Sequence, residues 1–123
     1  MARGAAFFDL DRTLLRKASG PVFTEALVSA GVAPARTVPG MDLVYRANDL
    51  WGESAMAMGL ARMAANVARG WKPAAVRTAS EQAAERLAKD VVPYARPLLD
   101  EHRKAGRPVV LATTTPYDMV APL

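Results

Sequence analysis

The sequence contains no cysteine among its 123 residues. That excludes disulfides, thiolate catalysis and cysteine-ligated zinc, although it assigns the chain to no compartment. Histidine occurs once, as His102, near the end of a short predicted helix, where a surface role is the ordinary reading. No uncharged apolar run reaches about 18 residues, the length a membrane-spanning helix needs. The longest candidate, Ala55 to Ala68, is interrupted by Arg62 and carries Gly59 and Asn66. The apolar stretch within the first nine residues is too short for a secretory signal and gives way at once to charge. A cytoplasmic location is the resulting expectation. Dense Lys/Arg blocks with interleaved aromatics, the mark of a nucleic-acid platform, are missing as well. The net charge of +4 is therefore read as general surface charge, and no nucleic-acid partner is expected.

What is present describes a folded chain. Apolar residue types make up 51% and charged ones 23%, a balance that favours a packed core over disorder. The length suits one ordinary domain.

Ala5, Ala6, Phe7 and Phe8 form a short apolar run that stops at Asp9-Leu10-Asp11-Arg12-Thr13. A continuous apolar run predicts a strand buried on both faces, as in a parallel α/β sheet. Asp9 and Asp11 then fall at its carboxyl end, where such sheets place their ligands.

From Ser19 the period becomes helical. Ser19-Gly20-Pro21 supplies a cap and a first-turn proline, Val22, Phe23, Ala26, Leu27 and Ala30 follow at helical spacing, and Gly31 is the stop. Ala33 to Gly40 reads as a loop. Helical patterning resumes near Met41 and runs to about Arg69, with Met56, Leu60, Met63 and Val67 as one stripe. After the break at Gly70-Trp71-Lys72-Pro73, a long helix places Val76, Ala79, Ala83, Leu87 and Val91 on one face. Residues 19–92 thus read as a small helical bundle. A short helix around Leu98, Leu99 and His102 is closed by Gly106. Val109-Val110-Leu111-Ala112 then predicts a second buried strand, ending in Thr113-Thr114-Thr115-Pro116. Two parallel strands need a crossover, which the bundle and the short helix provide. Two strands alone make an unfinished sheet, since sheets ordinarily have about four to six.

Two aspartates separated by one residue after a buried strand can face one site. One carboxylate can attack phosphorus and hold a magnesium ion, while the other moves the proton. Mg²⁺ takes hard oxygen ligands, commonly one or two carboxylates with waters and substrate phosphate. Thr13 is placed to steady the loop through a bond from its side chain to the backbone.

Phe7-Phe8-Asp9-Leu10-Asp11-Arg12-Thr13-Leu14-Leu15 resembles the first motif of the haloacid dehalogenase (HAD) superfamily, hhhDxDx[TV]. Gly106 to Pro116 resembles its second motif, a strand ending in Ser or Thr. A helical insertion between the two is similar to the cap of the phosphoserine-phosphatase-like branch, subfamily IB. The resemblance implies an α/β fold. Residues 1–18 and 93–123 would form part of a HAD-like Rossmannoid core, and residues 19–92 would form the helical cap. It implies that Asp9 is the nucleophile of an aspartyl-phosphate intermediate. Asp11 would be the general acid/base, with its backbone carbonyl on the magnesium. Asp9 and Asp11 would thus be the metal-binding pair and Mg²⁺ the cofactor. Thr113, with Thr114 beside it, would bind phosphate.

The departures from the family pattern set further expectations. Its third motif is a lysine, and its fourth is one or two acidic residues that complete the magnesium site. Both lie beyond the second-motif threonine. No lysine stands among Thr114 to Leu123, Asp118 comes too soon for a following strand, and Lys89 and Lys104 precede the second motif. The chain is therefore expected to be an amino-terminal fragment that binds magnesium poorly and turns over slowly or not at all. Phosphoserine phosphatases usually carry a Glu shortly after the first motif, and the matching position here is Ala18. That favours a small phosphorylated metabolite or lipid head group over phosphoserine. The alternative is a non-catalytic helical interaction module derived from such a hydrolase.

Overall fold

The computed structural model describes residues 4–34, 59, 62, 66 and 68–123. Most of the helical stretch expected from Met41 to Arg69 lies outside them, including its methionine stripe and Trp51.

Strand β1 (Ala6–Phe8) pairs in parallel with β2 (Val109–Leu111), with Ala6 opposite Val109, Phe7 opposite Val110 and Phe8 opposite Leu111. The ladder continues one bond past each end, from the Ala6 N–H to the Pro108 carbonyl (2.8 Å) and from the Ala112 N–H to the Phe8 carbonyl (2.7 Å). The mixed α/β class and the parallel pairing are as the two apolar runs require.

Among the described residues, three α-helices lie between the strands: α1 (Gly20–Ser29), α2 (Pro73–Leu87) and α3 (Ala95–Lys104); a four-residue helix, α4 (Tyr117–Val120), follows β2. Proline opens both α1 and α2 within the first turn, where its missing N–H costs nothing. Gly31 and Gly106 close α1 and α3 with φ of 70° and 67°. At each, two bonds wrap the helix end. The Gly31 and Val32 N–H groups donate to the Val28 and Leu27 carbonyls, and the Gly106 and Arg107 N–H groups to those of Arg103 and His102. This is the Schellman arrangement, which needs a left-handed residue and so favours glycine.

Helix α2 ends at Leu87, one turn before the periodicity suggests. Ala88–Asp90 tightens into a 3₁₀ turn and Val91 turns extended. The cause lies downstream: Pro93 restricts Val92 to extended geometry, and the Val92 N–H is taken by the Leu14 carbonyl at 2.9 Å. Leu15 and Val91 consequently form an antiparallel bridge, reinforced by the Arg16 N–H on the Asp90 carbonyl. The two segments joining strand and bundle are thereby pinned side by side.

One apolar cluster holds these pieces together. Phe23, Ala26 and Leu27 of α1 meet Ala79, Ala83 and Leu87 of α2, with Leu10 and Leu15 beneath. The alanines let the two helices approach closely. Trp71, Met119 and Val120 pack against the same cluster, so it crosses the boundary expected between core and insertion. Ser80 is buried within it and satisfied by donating to the Val76 carbonyl.

The sheet differs from expectation in one respect. Its strands are not buried on both faces: Phe7 is 69% exposed, Val110 38% and Leu111 39%. The His102 ring stands edge-on to Phe8 at 5.6 Å, which covers part of the face opposite Phe7. Among the described residues the sheet has two strands, and its remaining apolar surface is open. It includes a groove of about 530 Å³ lined by Phe8, Leu10, Leu99, Val109 and Leu111. Among the described residues, no helix is long and apolar enough to cross a membrane.

Candidate active site

Asp9 is the first residue past β1 and Thr113 the second past β2. The register puts Asp9 level with Ala112 and brings both strand ends to the same edge of the sheet. Asp9 keeps extended dihedrals (φ −80°, ψ 156°) and is exposed. The chain then makes a single wide turn, Leu10–Leu14, closed by the Leu15 N–H on the Leu10 carbonyl at 3.0 Å. Leu10 points into the apolar cluster, so the residues around it are carried toward solvent.

Within that turn Asp11 (φ −70°, ψ 125°) and Arg12 (φ 58°, ψ 14°) approach the two central residues of a type II turn. Arg12 occupies the left-handed position that glycine favours, at a cost on the order of 1 kcal/mol. Sequence reasoning gave no sign of it, because nothing at that position signals a left-handed residue. The surrounding bonds hold it: the Leu15–Leu10 closure on one side and the bridge to Val91 on the other.

The two carboxylates take different partners. The Thr13 hydroxyl donates to Asp9 Oδ2 at 3.1 Å, so Thr13 steadies the nucleophile candidate itself and not the backbone. The Ser19 N–H donates to Asp11 Oδ1 at 2.8 Å. Ser19 precedes α1 in helical dihedrals and its own side chain makes no cap bond. The bond from the Ser19 N–H instead holds the Asp11 carboxylate near the positive end of the helix dipole. Tyr94, at the start of α3, donates its hydroxyl to the Thr13 carbonyl at 3.3 Å. The contacts of Ser19 and Tyr94 were not anticipated. Both join residues far enough apart in sequence that no local pattern encodes them.

On the second strand, Thr113 Oγ1 accepts the Thr115 N–H at 3.2 Å. Its own hydrogen remains available to donate, which is what contact with a phosphoryl oxygen requires. Thr114 is exposed beside it. Asp9, Asp11 and Thr113 are not among the residues lining the apolar groove. The groove is a packing surface, and the polar cluster at the strand ends is the better candidate for chemistry.

Among the described residues no three acidic or histidine side chains gather as a metal site. What the loop offers is a pair of carboxylates and backbone carbonyls. Hard oxygens in that number suit Mg²⁺, which keeps waters and substrate phosphate as its other ligands. Trp71 packs on the apolar cluster and not at the strand ends.

Residues 6–123 match the family described as haloacid dehalogenase-like hydrolase. A Streptomyces azureus protein named for inhibition of morphological differentiation is 32% identical over all of this chain and 45% of its own length. A probable phosphatase of Mycobacterium tuberculosis is 29% identical over 99% of this chain and 43% of its own. The chain spans less than half the length of these curated relatives. No solved structure matches it.

Proposed function

Because the chain belongs to the haloacid dehalogenase-like hydrolase family, we propose that it carries the nucleophilic part of a phosphomonoester hydrolase site of the subfamily IB type. The observation that carries this reading is the pair Asp9 and Asp11 at the end of β1. Each is held by its own donor, Thr13 or Ser19, and Thr113 stands at the neighbouring strand end. The probable-phosphatase relative supports the same reaction class.

In the proposed reaction an oxygen of Asp9 attacks phosphorus and the bond to the leaving oxygen breaks. Asp11 gives its proton to that oxygen. Water then attacks the aspartyl-phosphate, Asp11 takes the water's proton, and the Asp9–phosphorus linkage breaks to release phosphate. Thr113, with Thr114, donates to the phosphoryl oxygens, and positioning and charge neutralisation supply most of the rate. Mg²⁺, held by the Asp9 carboxylate and the Asp11 backbone carbonyl, would supply positive charge against the phosphoryl group. Residues 19–92 would serve as cap over the strand ends, with residues 1–18 and 93–123 as core. The substrate would be a small phosphorylated metabolite or lipid head group, met in the cytoplasm.

The test is hydrolysis of 4-nitrophenyl phosphate with Mg²⁺, with Mg²⁺ chelated, and by Asp9→Asn. The proposal expects slow turnover that both changes abolish; full activity in Asp9→Asn would end the nucleophile assignment. A second reading, a non-catalytic interaction module, draws on the open Phe7 and Val110 face. It expects partner binding with no phosphoryl transfer.

A further inference from the structure

We infer that Ser19 is a positioning residue for proton transfer, acting through its backbone N–H on the carboxylate of Asp11. What Asp11 does rests on the phosphatase reading; the contact itself does not.

The N–H···Oδ1 distance of 2.8 Å in a partly buried setting is that of a well-formed hydrogen bond. Ser19 is only 1% exposed, so water competes poorly for its N–H. Its hydroxyl, in contrast, is buried and has no hydrogen-bond partner among the described residues. The position therefore uses its main chain, not its side chain. The Ser19 carbonyl in turn accepts the Phe23 N–H at 3.1 Å, and Phe23 is buried in the cluster between α1 and α2. A rigid path runs from that cluster through Ser19 to one oxygen of Asp11. Among the described residues, no hydrogen bond occupies the other oxygen. A general acid needs this division: one oxygen fixed to set the plane of the carboxyl group, the other open to carry the proton.

Two substitutions separate the N–H from the hydroxyl. Ser19→Pro deletes the N–H, and the residue's φ of −78° lies within proline's range. Ser19→Ala keeps the N–H and deletes the unpartnered hydroxyl. Each is assayed in the full chain with Mg²⁺ on two esters. One is 4-nitrophenyl phosphate, whose leaving group departs without a proton; the other is glycerol 2-phosphate, whose leaving group needs one. For Ser19→Pro we expect kcat on the alkyl ester to fall about 10- to 100-fold, a partial loss of the roughly 100- to 10,000-fold that general acid–base catalysis supplies. On the nitrophenyl ester it should stay within about threefold, with KM unchanged on both, because that leaving group draws little on a general acid. Ser19→Ala should match wild type on both. An equal loss on the two esters, or no loss in Ser19→Pro, overturns the inference.

Amide hydrogen exchange decides the contact should Ser19→Pro fail to fold. The Ser19 amide should be protected in the wild-type chain and lose about tenfold or more of that protection in Asp11→Ala, while the α2 amides keep theirs. An unprotected Ser19 amide, or protection indifferent to Asp11, overturns the contact. Turnover of neither ester by the wild-type chain overturns the role in proton transfer for this chain and leaves the exchange result to judge the contact, while the phosphatase reading is judged separately by phosphoryl labelling of Asp9.

Discussion

The Thr13 hydroxyl donates to Oδ2 of Asp9 across 3.1 Å, four residues further along a chain that turns back on itself between them. The bond fixes the candidate nucleophile from its own loop. Among the described residues it leaves Oδ1 without a hydrogen bond, and Oδ1 is thus the oxygen that would attack in the proposed reaction. Because Tyr94 reaches the Thr13 carbonyl from the start of α3, the loop is tied to the second half of the fold as well.

Replacing Thr13 tests that bond directly. Thr13→Val should lower kcat by about tenfold, the value of a hydrogen bond to a charged group, and Thr13→Ser should restore it. Both residues of the pair are exposed, so denaturant midpoints should barely move. A Thr13→Val variant with unchanged kcat would show that the bond does not serve catalysis.

The helix ends offer a conformational prediction. Gly31 and Gly106 have positive φ, and an added Cβ would meet nothing within 4 Å at either. Gly31→Ala and Gly106→Ala should therefore each cost about 1 kcal/mol through backbone strain alone. Urea titration of the two variants provides the measurement.

Stability should depend on the α1–α2 cluster far more than on its surface charges. Leu87 is 1% exposed, and Leu87→Ala should cost about 2–5 kcal/mol. The Arg86–Glu25 pair joins the same two helices at 2.8 Å but is largely solvent-exposed. Glu25→Gln should change stability by less than about 1 kcal/mol. Comparable losses in the two variants would contradict this assignment of the core.

The open sheet face predicts association. Phe7 and Val110 present adjacent apolar side chains on a strand pair whose outer edges have no partner among the described residues, a surface that promotes self-association. Sedimentation should show the chain associating or only partly ordered in isolation, and Phe7→Lys should raise its monomer fraction. A monomer with a sharp melt in the unmodified chain would contradict the prediction.

Much of this architecture was legible in the residues. The two apolar runs, the prolines that open α1 and α2, and the glycines that close α1 and α3 each act through local chemistry. Each appears within a residue or two of its expected place. What was not legible depends on contacts between distant segments. Helix α2 stops at Leu87 because Val92 is claimed by Leu14, and Phe7 stays exposed because the two strands among the described residues leave that sheet face without cover. In the candidate site, Asp9 and Asp11 stood out by their place at a strand end, and the resemblance to the family's motifs singled out Thr113 and gave all three their roles. The left-handed Arg12, the Ser19 amide on Asp11 and the Tyr94 bond could not be read from the sequence, since turn closure and helix packing create them.

The central claim, that Asp9 accepts a phosphoryl group, is tested most directly by labelling and not by turnover. The chain is incubated with Mg²⁺ and radiolabelled acetyl phosphate, an activated donor that needs little acid assistance, then quenched in acid and mapped by peptide mass spectrometry. The account predicts acid-stable, base-labile label on the peptide containing Asp9, absent from Asp9→Asn. Label retained in Asp9→Asn, or carried on another residue, would contradict it.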